Sequence, residues 1–323
     1  MSNSDLTHID ASGNAHMVDV ADREVTTRTA TTVGRVLLSK EVVTLLRDGA
    51  VPKGDVLATA RIAGIMATKR TPSFDSHNPA TGEVAGTYPI MNAKQVSEIV
   101  AHARTASAQW QKLGFSARKK VLLSWSNVII NRIDQIAALI SLETGKPVGD
   151  AKLEVSIAVG HIGWAARHAE EIMRTSYRAP GLLLSNMSAT VQRSPLGVVG
   201  VIGPWNYPMF TPVGSITYAL AAGNTVVFKP SEYTPGVGMW LEETFNEVAP
   251  FADVLTTITG LGETGGALCT SGVDKISFTG STRTAKIVAA QCATTMTPVV
   301  LECGGKDPVI VAVDANLERA VDA

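Results

Sequence analysis

Cysteine is scarce in this sequence, and its three occurrences, Cys269, Cys292 and Cys303, are odd in number and show no CxxC spacing. This pattern argues against a disulfide framework and against a zinc knuckle, so reduced thiols are expected. The six histidines also lack metal-ligand spacing, and His161 and His168 lie seven residues apart on one expected helix. We therefore predict no metal site.

An excess of charge of one sign and long apolar runs are lacking too. The 28 Lys and Arg nearly balance the 29 Asp and Glu, so the chain has no large positive electrostatic field that would attract nucleic acid or an anionic membrane. The apolar runs are far shorter than the roughly 18 residues of a membrane-spanning helix, and residues 1–5 are polar. We therefore expect a cytoplasmic protein without nucleic-acid or membrane partners. With 45% hydrophobic residues, a chain of 323 residues can bury a sizeable core in about two domains.

The sequence changes character near residue 71, which divides it into two predicted domains, 1–71 and 72–323. The first contains two strand-like stretches followed by two helical patterns. Such a set is half of an α+β unit and buries too little surface for independent stability. These elements are predicted over residues 16–20, 25–38, 40–48 and 56–70.

The second domain begins with a turn-rich passage at 71–82, which is followed by helix-capping signals. These signals predict three long helices in a row, from Asn92 to about Leu113, from Ser116 to about Glu143, and from Asp150 to about Arg174.

From residue 189 onward, short β-branched runs alternate with helical patterns. Such alternation is typical of a parallel sheet covered by helices on both faces. We therefore predict an α/β fold with a doubly wound, Rossmann-like nucleotide-binding sheet. The strands are predicted over residues 198–202, 225–229, 255–258, 275–278 and 298–302, and the helices over 208–222, 236–248, 263–269 and 282–290.

Two side chains at the ends of these strands are candidates for catalysis. Asn206 follows a buried strand and can donate its side-chain amide to an oxyanion that forms at a carbonyl carbon. The alternative is that Asn206 only caps the next helix, for which Pro208 is a suitable first residue. Glu302 ends an apolar strand before two glycines, so its carboxylate can take a proton from water. The alternative there is an ion pair with Lys306.

Other residues on the same turns suit a dinucleotide. Lys229 ends a strand and can hold a ribose or a phosphate, while Glu232 can accept from both ribose hydroxyls and would repel a 2′-phosphate. This favours NAD over NADP, although the two residues could simply form a solvated ion pair. Glycine-rich turns at 260–266 and 278–281 allow close backbone approach, and the helix that begins at Thr282 offers its dipole to a pyrophosphate. Glycines at sheet edges also commonly serve turns only.

In this order and on these turns, the residues resemble the aldehyde dehydrogenase superfamily. The resemblance covers residues 73–323 and includes Asn-Pro-Ala-Thr-Gly-Glu at 78–83, Leu-Glu-Thr-Gly-Lys-Pro at 142–147 and Leu-Glu-Cys-Gly-Gly-Lys at 301–306. It implies NAD-dependent oxidation of an aldehyde to an acid, in which a cysteine thiolate attacks the carbonyl and hydride passes to the nicotinamide. Activated water then hydrolyses the thioester. It also implies homo-oligomers.

The resemblance implies roles for matching positions. Asn206 would join the oxyanion hole, Glu302 would be the general base, and Lys229 with Glu232 would hold the adenosine ribose. The cofactor-binding positions that it implies are Ile202, Gly203, Pro204, Trp205, Lys229, Ser231, Glu232, Gly262, Gly266, Phe278, Thr279, Gly280 and Ser281.

Three departures from the family pattern bear on activity. Ala285 stands where the family usually has Gly, and Cys303 stands where it usually has Leu. The nucleophilic cysteine of the family lies well beyond the base, past residue 323, so we expect no turnover by this truncated chain. Cys303 is not expected to substitute, because it would face the packed side of its strand if Glu302 faces the pocket, and a buried thiol is a poor nucleophile.

Residues 1–71 have a resemblance of their own, to the start of cyclic pyranopterin monophosphate synthase, an enzyme of molybdenum cofactor biosynthesis. Lys53 matches an active-site lysine of that family, whose later histidine, aspartate and lysine have no counterpart here. We therefore expect a truncated or recombined reading frame rather than a bifunctional enzyme. Three interpretations stay open: an NAD-dependent aldehyde dehydrogenase fragment, a non-catalytic NAD-binding module, and a protein of pterin-cofactor biosynthesis. The aldehyde itself is not specified. The similar stretches are residues 6–10, 16–20, 53–56 and 58–65.

Overall fold

Residues 72–322 are described by a computed structural model of the protein. The strands and helices predicted over residues 16–20, 25–38, 40–48 and 56–70, together with Lys53, lie outside the described residues.

An antiparallel hairpin of strands β1 (Ser73–His77) and β2 (Val84–Pro89) opens the described chain. The side chain of Asn78 accepts from the Ala80 N–H at 2.9 Å, and Gly82 adopts a φ of +75° that favours glycine. The turn chemistry at 78–82 was therefore predicted correctly, but the strands on either side of it were missed. Their mixture of small and polar residues carries little of the β-branched signal by which strands are recognised.

Four helices follow: α1 (Ala93–Lys112), α2 (Gly114–Asn131), α3 (Ile133–Thr144) and α4 (Val148–Met173). Asn92 caps α1 as predicted, and Asn92 and Gln95 exchange side-chain-to-backbone hydrogen bonds at 3.0 Å. The single helix predicted to begin at Ser116 is wrong, because α2 begins earlier and the chain turns at Arg132 into α3. The guanidinium of Arg132 holds this corner through two bonds to Glu247, at 2.6 and 2.8 Å. The last of the four begins at Val148, ahead of the predicted Asp150.

A short hairpin, β3 (Ser176–Arg178) and β4 (Ala189–Val191), connects these helices to a second part of the fold. That part contains the parallel strands β5 (Val198–Ile202), β6 (Thr225–Lys229), β7 (Leu255–Thr257), β8 (Lys275–Gly280) and β9 (Val299–Cys303). The intervening helices are α5 (Phe210–Ala222), α6 (Pro235–Asn246), α7 (Gly262–Thr270) and α8 (Thr282–Thr294), and α9 (Leu317–Asp322) ends the described chain.

The order of the parallel strands, β7-β6-β5-β8-β9, confirms the predicted doubly wound sheet. The chain moves from β5 outward through β6 to β7, and then returns to the other side of β5 to form β8 and β9. The crevice between the carboxyl ends of β5 and β8 is therefore the point where the winding direction reverses, which is where ligands bind in open α/β sheets. The prediction that Pro208 starts the next helix is wrong, because α5 begins at Phe210.

Helices cover both faces of the sheet. One buried cluster joins helices α2 to α6, together with Trp110 near the end of α1, to one face; the rings of Trp110 and Trp125 each meet that of Phe245 edge to face. The other cluster packs α1, α7 and α8 on the opposite face, with Val100 and Ile276 among its fully or nearly fully buried residues. No helix within residues 72–322 is both long and apolar enough to cross a bilayer.

A buried side chain from another helix caps the N-terminus of α6. Glu143, in the last turn of α3, accepts from the N–H groups of Gly236 and Val237 at 3.0 and 3.1 Å and from Ser76 Oγ at 3.1 Å. Thr234, which occupies the N-cap position, makes no capping bond. Because the first N–H groups of a helix have no partner within it, this carboxylate satisfies two of them and joins α3, α6 and β1.

The cap makes the stability of the fold depend on pH. Burial raises the pKa of Glu143 from 4.5 to about 7, although the bonds from Gly236, Val237 and Ser76 act to lower it. The folded state therefore binds an extra proton between these two values. The stability that Glu143 contributes is complete below pH 4.5 and is lost as the pH rises to about 7.

Urea unfolding of the wild type beside Glu143→Gln tests this dependence. Gln cannot ionise, so the difference in unfolding free energy between the two proteins isolates Glu143. We expect the wild type to lose on the order of 3 kcal/mol relative to Glu143→Gln between pH values near 4 and near 8. A difference that is constant over this range would contradict the assignment.

Candidate functional site

The turn after β5 lies at the reversal point of the sheet. Its first residue, Gly203, is buried and donates its N–H to the carbonyl of Lys229 at 3.0 Å. A Cβ at this position would lie 3.1 Å from the Phe228 ring, so a larger residue would press on that ring. Trp205 and Asn206 follow and are exposed, which leaves the Asn206 amide accessible to a ligand. Pro204, between them and Gly203, is partly buried.

The start of α5 is capped by Glu154 of α4. One oxygen of Glu154 accepts from the N–H groups of Met209 and Phe210, at 2.9 and 3.1 Å. The cap that sequence reasoning offered as the alternative role of Asn206 is thus supplied by a different residue. The carbonyl of Asn206 accepts from Lys146 Nζ at 2.8 Å.

Lys229 is a buried cation at the carboxyl end of β6, with 4% of its surface exposed. Its ammonium donates to the carbonyl of Pro230 at 3.0 Å. Burial lowers the pKa of Lys229, and the nearby charge of Glu232 acts in the opposite direction. An ammonium has three donors, so this group has capacity for the hydroxyls of a ligand. Glu232 is partly exposed, and Ser231 beside it accepts from the N–H of Tyr233 at 3.3 Å.

The glycines around the start of α7 have different surroundings. A Cβ at Gly262, the first residue of the helix, would meet nothing within 4 Å, so this position faces open space. A Cβ at Gly265 would lie 3.4 Å from Lys229 Cδ, which places the lysine chain against the first turn of α7. A Cβ at Gly266 would lie 2.8 Å from Nε2 of Gln291 on α8, so a larger residue here would have to displace the end of that side chain.

The turn after β8 leads directly into α8. Phe278 is buried, and a Cβ at Gly280 would lie 2.7 Å from its ring. Ser281 is the N-cap of α8 and accepts from the N–H of Thr284 at 3.2 Å. Because Ile202 of β5 pairs with Phe278, this helix start lies across the crevice from the turn that carries Asn206. Thr279 lies between Phe278 and Gly280 on the same strand end.

Glu302 and Cys303 end the edge strand β9, paired with Thr279 and Gly280 of β8. Both are exposed, as are residues 300–301. The expectation that Cys303 faces a packed side is therefore wrong. An edge strand with little covering it leaves both of its faces open, so alternation of side chains does not bury either set.

Three residues that sequence reasoning did not single out organise this edge: Glu143, Lys146 and Glu154. Lys146 Nζ pairs with Glu154 Oε2 at 2.5 Å in addition to its bond to Asn206. The motif at 142–147 contained the first two, but nothing in the sequence indicated that either reaches a helix or turn so distant in the chain. Within residues 72–322, no group of three or more metal-binding side chains lies close together.

The model of the aldehyde dehydrogenase family matches residues 65–323. The chain belongs to this family. A probable succinate-semialdehyde dehydrogenase [NADP(+)] of Sinorhizobium fredii is 37% identical over 77% of the chain and 51% of its own length. A glutarate-semialdehyde dehydrogenase of Pseudomonas putida is 38% identical over 76% and 51%. The chain thus spans about half the length of the curated relatives it matches.

Solved structures of the family share the fold of this aldehyde dehydrogenase chain. The crystal structure of PnpE in complex with nicotinamide adenine dinucleotide superimposes with a TM-score of 0.73 at 34% identity, over 78% of this chain and 51% of that one. An aldehyde dehydrogenase from Brucella melitensis biovar abortus 2308 gives a TM-score of 0.72 at 35% identity, over 78% and 52%.

A second family model, that of the MoaC family, matches residues 17–108, in agreement with the N-terminal resemblance. This match overlaps the aldehyde dehydrogenase match over residues 65–108. In the structure, Val96, Val100 and Ala103 of α1 belong to the same buried cluster as Val198 and Ile276 of the parallel sheet. The described part of the overlap is therefore built into the dehydrogenase fold.

The three thiols of this dehydrogenase chain are expected to react at very different rates. Burial raises the pKa of Cys269 to about 12, with a further contribution from Cys292, and burial also raises the pKa of Cys292. Cys303 is exposed. Ellman's reagent should therefore modify one thiol per folded chain promptly and the other two only after denaturation, with rates that differ at least about 100-fold.

The variant Cys303→Ser identifies the fast thiol. It should abolish the prompt phase and leave two thiols that react in denaturant. Prompt reaction of two thiols in the folded wild type would show that the packing of α7 against α8 is wrong.

Proposed function

We propose that residues 72–322 bind NAD at the carboxyl edge of the sheet and carry the oxyanion-stabilising and water-activating groups of an NAD-dependent aldehyde dehydrogenase. The observation that carries the proposal is the reversal of winding between β5 and β8. It brings the turn with Asn206 and the turn with Ser281 to one crevice, with Lys229 on the next strand. The aldehyde stays unspecified, and a cytoplasmic location stays a prediction.

The residues at this edge fit a dinucleotide. The start of α8 points its unpaired N–H groups toward the crevice, where they suit a pyrophosphate. The ammonium of Lys229 has donor capacity for a ribose. Glu232 lies close enough for its charge to act on that ammonium. A carboxylate there accepts from ribose hydroxyls and repels a 2′-phosphate, so we propose a preference for NAD over NADP. The bound nicotinamide would supply the hydride acceptor of the reaction.

The chain's own groups would act on the aldehyde from two sides. The exposed amide of Asn206 can donate to the carbonyl oxygen as negative charge develops there, which favours attack on the carbonyl carbon. Glu302 is exposed at the end of β9 and can accept a proton from water that attacks a thioester. The ion pairs of the described residues do not include one between Glu302 and Lys306, so this carboxylate is available.

We propose that these 323 residues bind NAD without turning over an aldehyde. Cys269 and Cys292 are buried with raised pKa values, so neither supplies a thiolate. Cys303 is accessible, but no hydrogen bond among residues 72–322 joins its thiol to a base that would activate it.

NAD affinity tests the cofactor site. In isothermal titration, Lys229→Met should raise the Kd for NAD about tenfold or more, because it removes hydrogen bonds to a charged donor. Lys275→Met is the matched control, since Lys275 lies at the amino end of β8, on the opposite edge of the sheet, and should leave the Kd unchanged. Equal effects of the two variants, or none, would contradict the assignment.

An aldehyde assay tests turnover. With NAD and succinate semialdehyde, glutarate semialdehyde or betaine aldehyde, we expect NADH to form no faster than without protein. Intact-mass measurement should likewise show no acyl adduct. An adduct on Cys303, together with aldehyde-dependent NADH, would overturn the proposal that these thiols do not act.

A further inference from the structure

We propose that Lys146 and Glu154 act as a positioning pair that fixes the backbone of Asn206 and thereby aims its side-chain amide. The proposal rests on the proposed function for the task of that amide. The positioning itself rests only on contacts between described residues.

Lys146 makes its three polar contacts at one place. Its ammonium donates to Glu154 Oε2 at 2.5 Å and to the Asn206 carbonyl at 2.8 Å, and it lies 4.2 Å from the centre of the Tyr207 ring. Only 17% of the Lys146 side chain is exposed. A hydrogen bond and a cation–π contact therefore hold two consecutive residues of the turn.

Glu154 holds the other end of the same turn. Its side chain is fully buried, and its second oxygen accepts from the N–H groups of Met209 and Phe210 at the start of α5. The two carboxylate oxygens thus have separate tasks. Oε1 caps the beginning of α5, and Oε2 binds the Lys146 ammonium that donates to the Asn206 carbonyl.

The turn needs such an anchor because its middle has little other support. Gly203 and Met209 are buried at its two ends, whereas Trp205, Asn206 and Tyr207 between them are exposed. An amide that stabilises a developing oxyanion must be held to within about half an ångström of its working position. The hydrogen bond from Lys146 to the Asn206 carbonyl provides this restraint and leaves the Asn206 side chain free to face the ligand.

The chain places Lys146 where it can reach the turn. Gly145 ends α3 in the left-handed region, with a φ of +75°, and Pro147 is the N-cap of α4. The N–H of Lys146 donates to Thr144 Oγ1 at 3.2 Å. The lysine is therefore fixed at both sides in the short corner between the two helices, two turns before Glu154.

Three variants separate the pair from the helix cap. Lys146→Met removes the ammonium and keeps the length of the side chain. Glu154→Gln keeps an oxygen for Met209 and Phe210 but places an NH₂ group, which cannot accept, toward Lys146. Lys146→Arg restores a cation. The matched control is Lys152→Met. Lys152 lies on α4, as Glu154 does, and pairs with Asp134 at 2.6 Å, away from the turn.

Nitrogen-15 relaxation of the backbone amides of the full chain, measured by NMR, gives the readout. We expect the order parameters of residues 205–207 to fall from about 0.85 to below about 0.6 in Lys146→Met and in Glu154→Gln. The order parameters within α4 and α5 should stay as in the wild type, Lys146→Arg should restore those of 205–207, and Lys152→Met should show no change. Wild-type order parameters at 205–207 in Lys146→Met, or a fall spread equally over α4 and α5, would overturn the proposal.

Titration of the same variants with NAD distinguishes this inference from the proposed function. Lower order parameters at 205–207 in Lys146→Met, in a chain whose wild type does not bind NAD, would leave the positioning pair in place and refute the cofactor site. NAD binding by a wild type whose turn does not respond to Lys146→Met would refute the pair and leave the cofactor site in place.

Discussion

The N–H groups that begin a helix must find partners outside it, and in this fold that requirement ties the helical layer to the sheet. Glu143 satisfies the start of α6, and Glu154 satisfies the start of α5. Both carboxylates are buried and both come from helices that precede the sheet in the chain. The turns after β5 and β6, which carry Asn206 and Lys229, are therefore positioned by residues far from them in sequence.

The same requirement distinguishes the helices of the sheet from one another. The dipoles of α5 and α6 meet carboxylates of the protein itself, so neither helix start is open to an anionic ligand. The side chain at the N-cap position of α7 gives no cap, and α8 is capped only by its own Ser281. An anion that approaches the reversal point thus finds a suitable helix start on the side of β8. The assignment of residues 278–281 to a pyrophosphate stays a prediction.

Much of the fold could be predicted because its strands are short continuous runs of apolar residues. The interpretation of Val198–Ile202 and Thr225–Lys229 as buried parallel strands is confirmed to the residue. The corner at Arg132 could not be predicted, since no proline or glycine marks it and the ion pair made there joins Arg132 to Glu247, 115 residues away. The exposure of Cys303 was missed because alternation along a strand describes only where a side chain points. Whether that face is covered depends on the neighbouring elements.

The residues of the candidate site likewise fall into those that the local sequence predicts and those that depend on distant contacts. Asn206, Lys229 and Glu302 could be selected from sequence, because each follows an apolar strand whose end must lie at the edge of the sheet. Lys146 and Glu154 could not, because a glutamate within a helix and a lysine in a corner are ordinary surface residues until a distant turn is placed beside them.

The Lys146–Glu154 pair is better explained by geometry than by stability. Removing a carboxylate and an ammonium from water costs several kcal/mol per ion, and their attraction offsets this only when the remaining donors and acceptors are satisfied. Here they are, since Glu154 takes two backbone donors and Lys146 reaches the Asn206 carbonyl and the Tyr207 ring. An apolar pair of the same volume could fill the space, but it could not hold a carbonyl at a fixed distance from a helix start. The pair therefore contributes what packing alone does not, a defined place for the amide of Asn206.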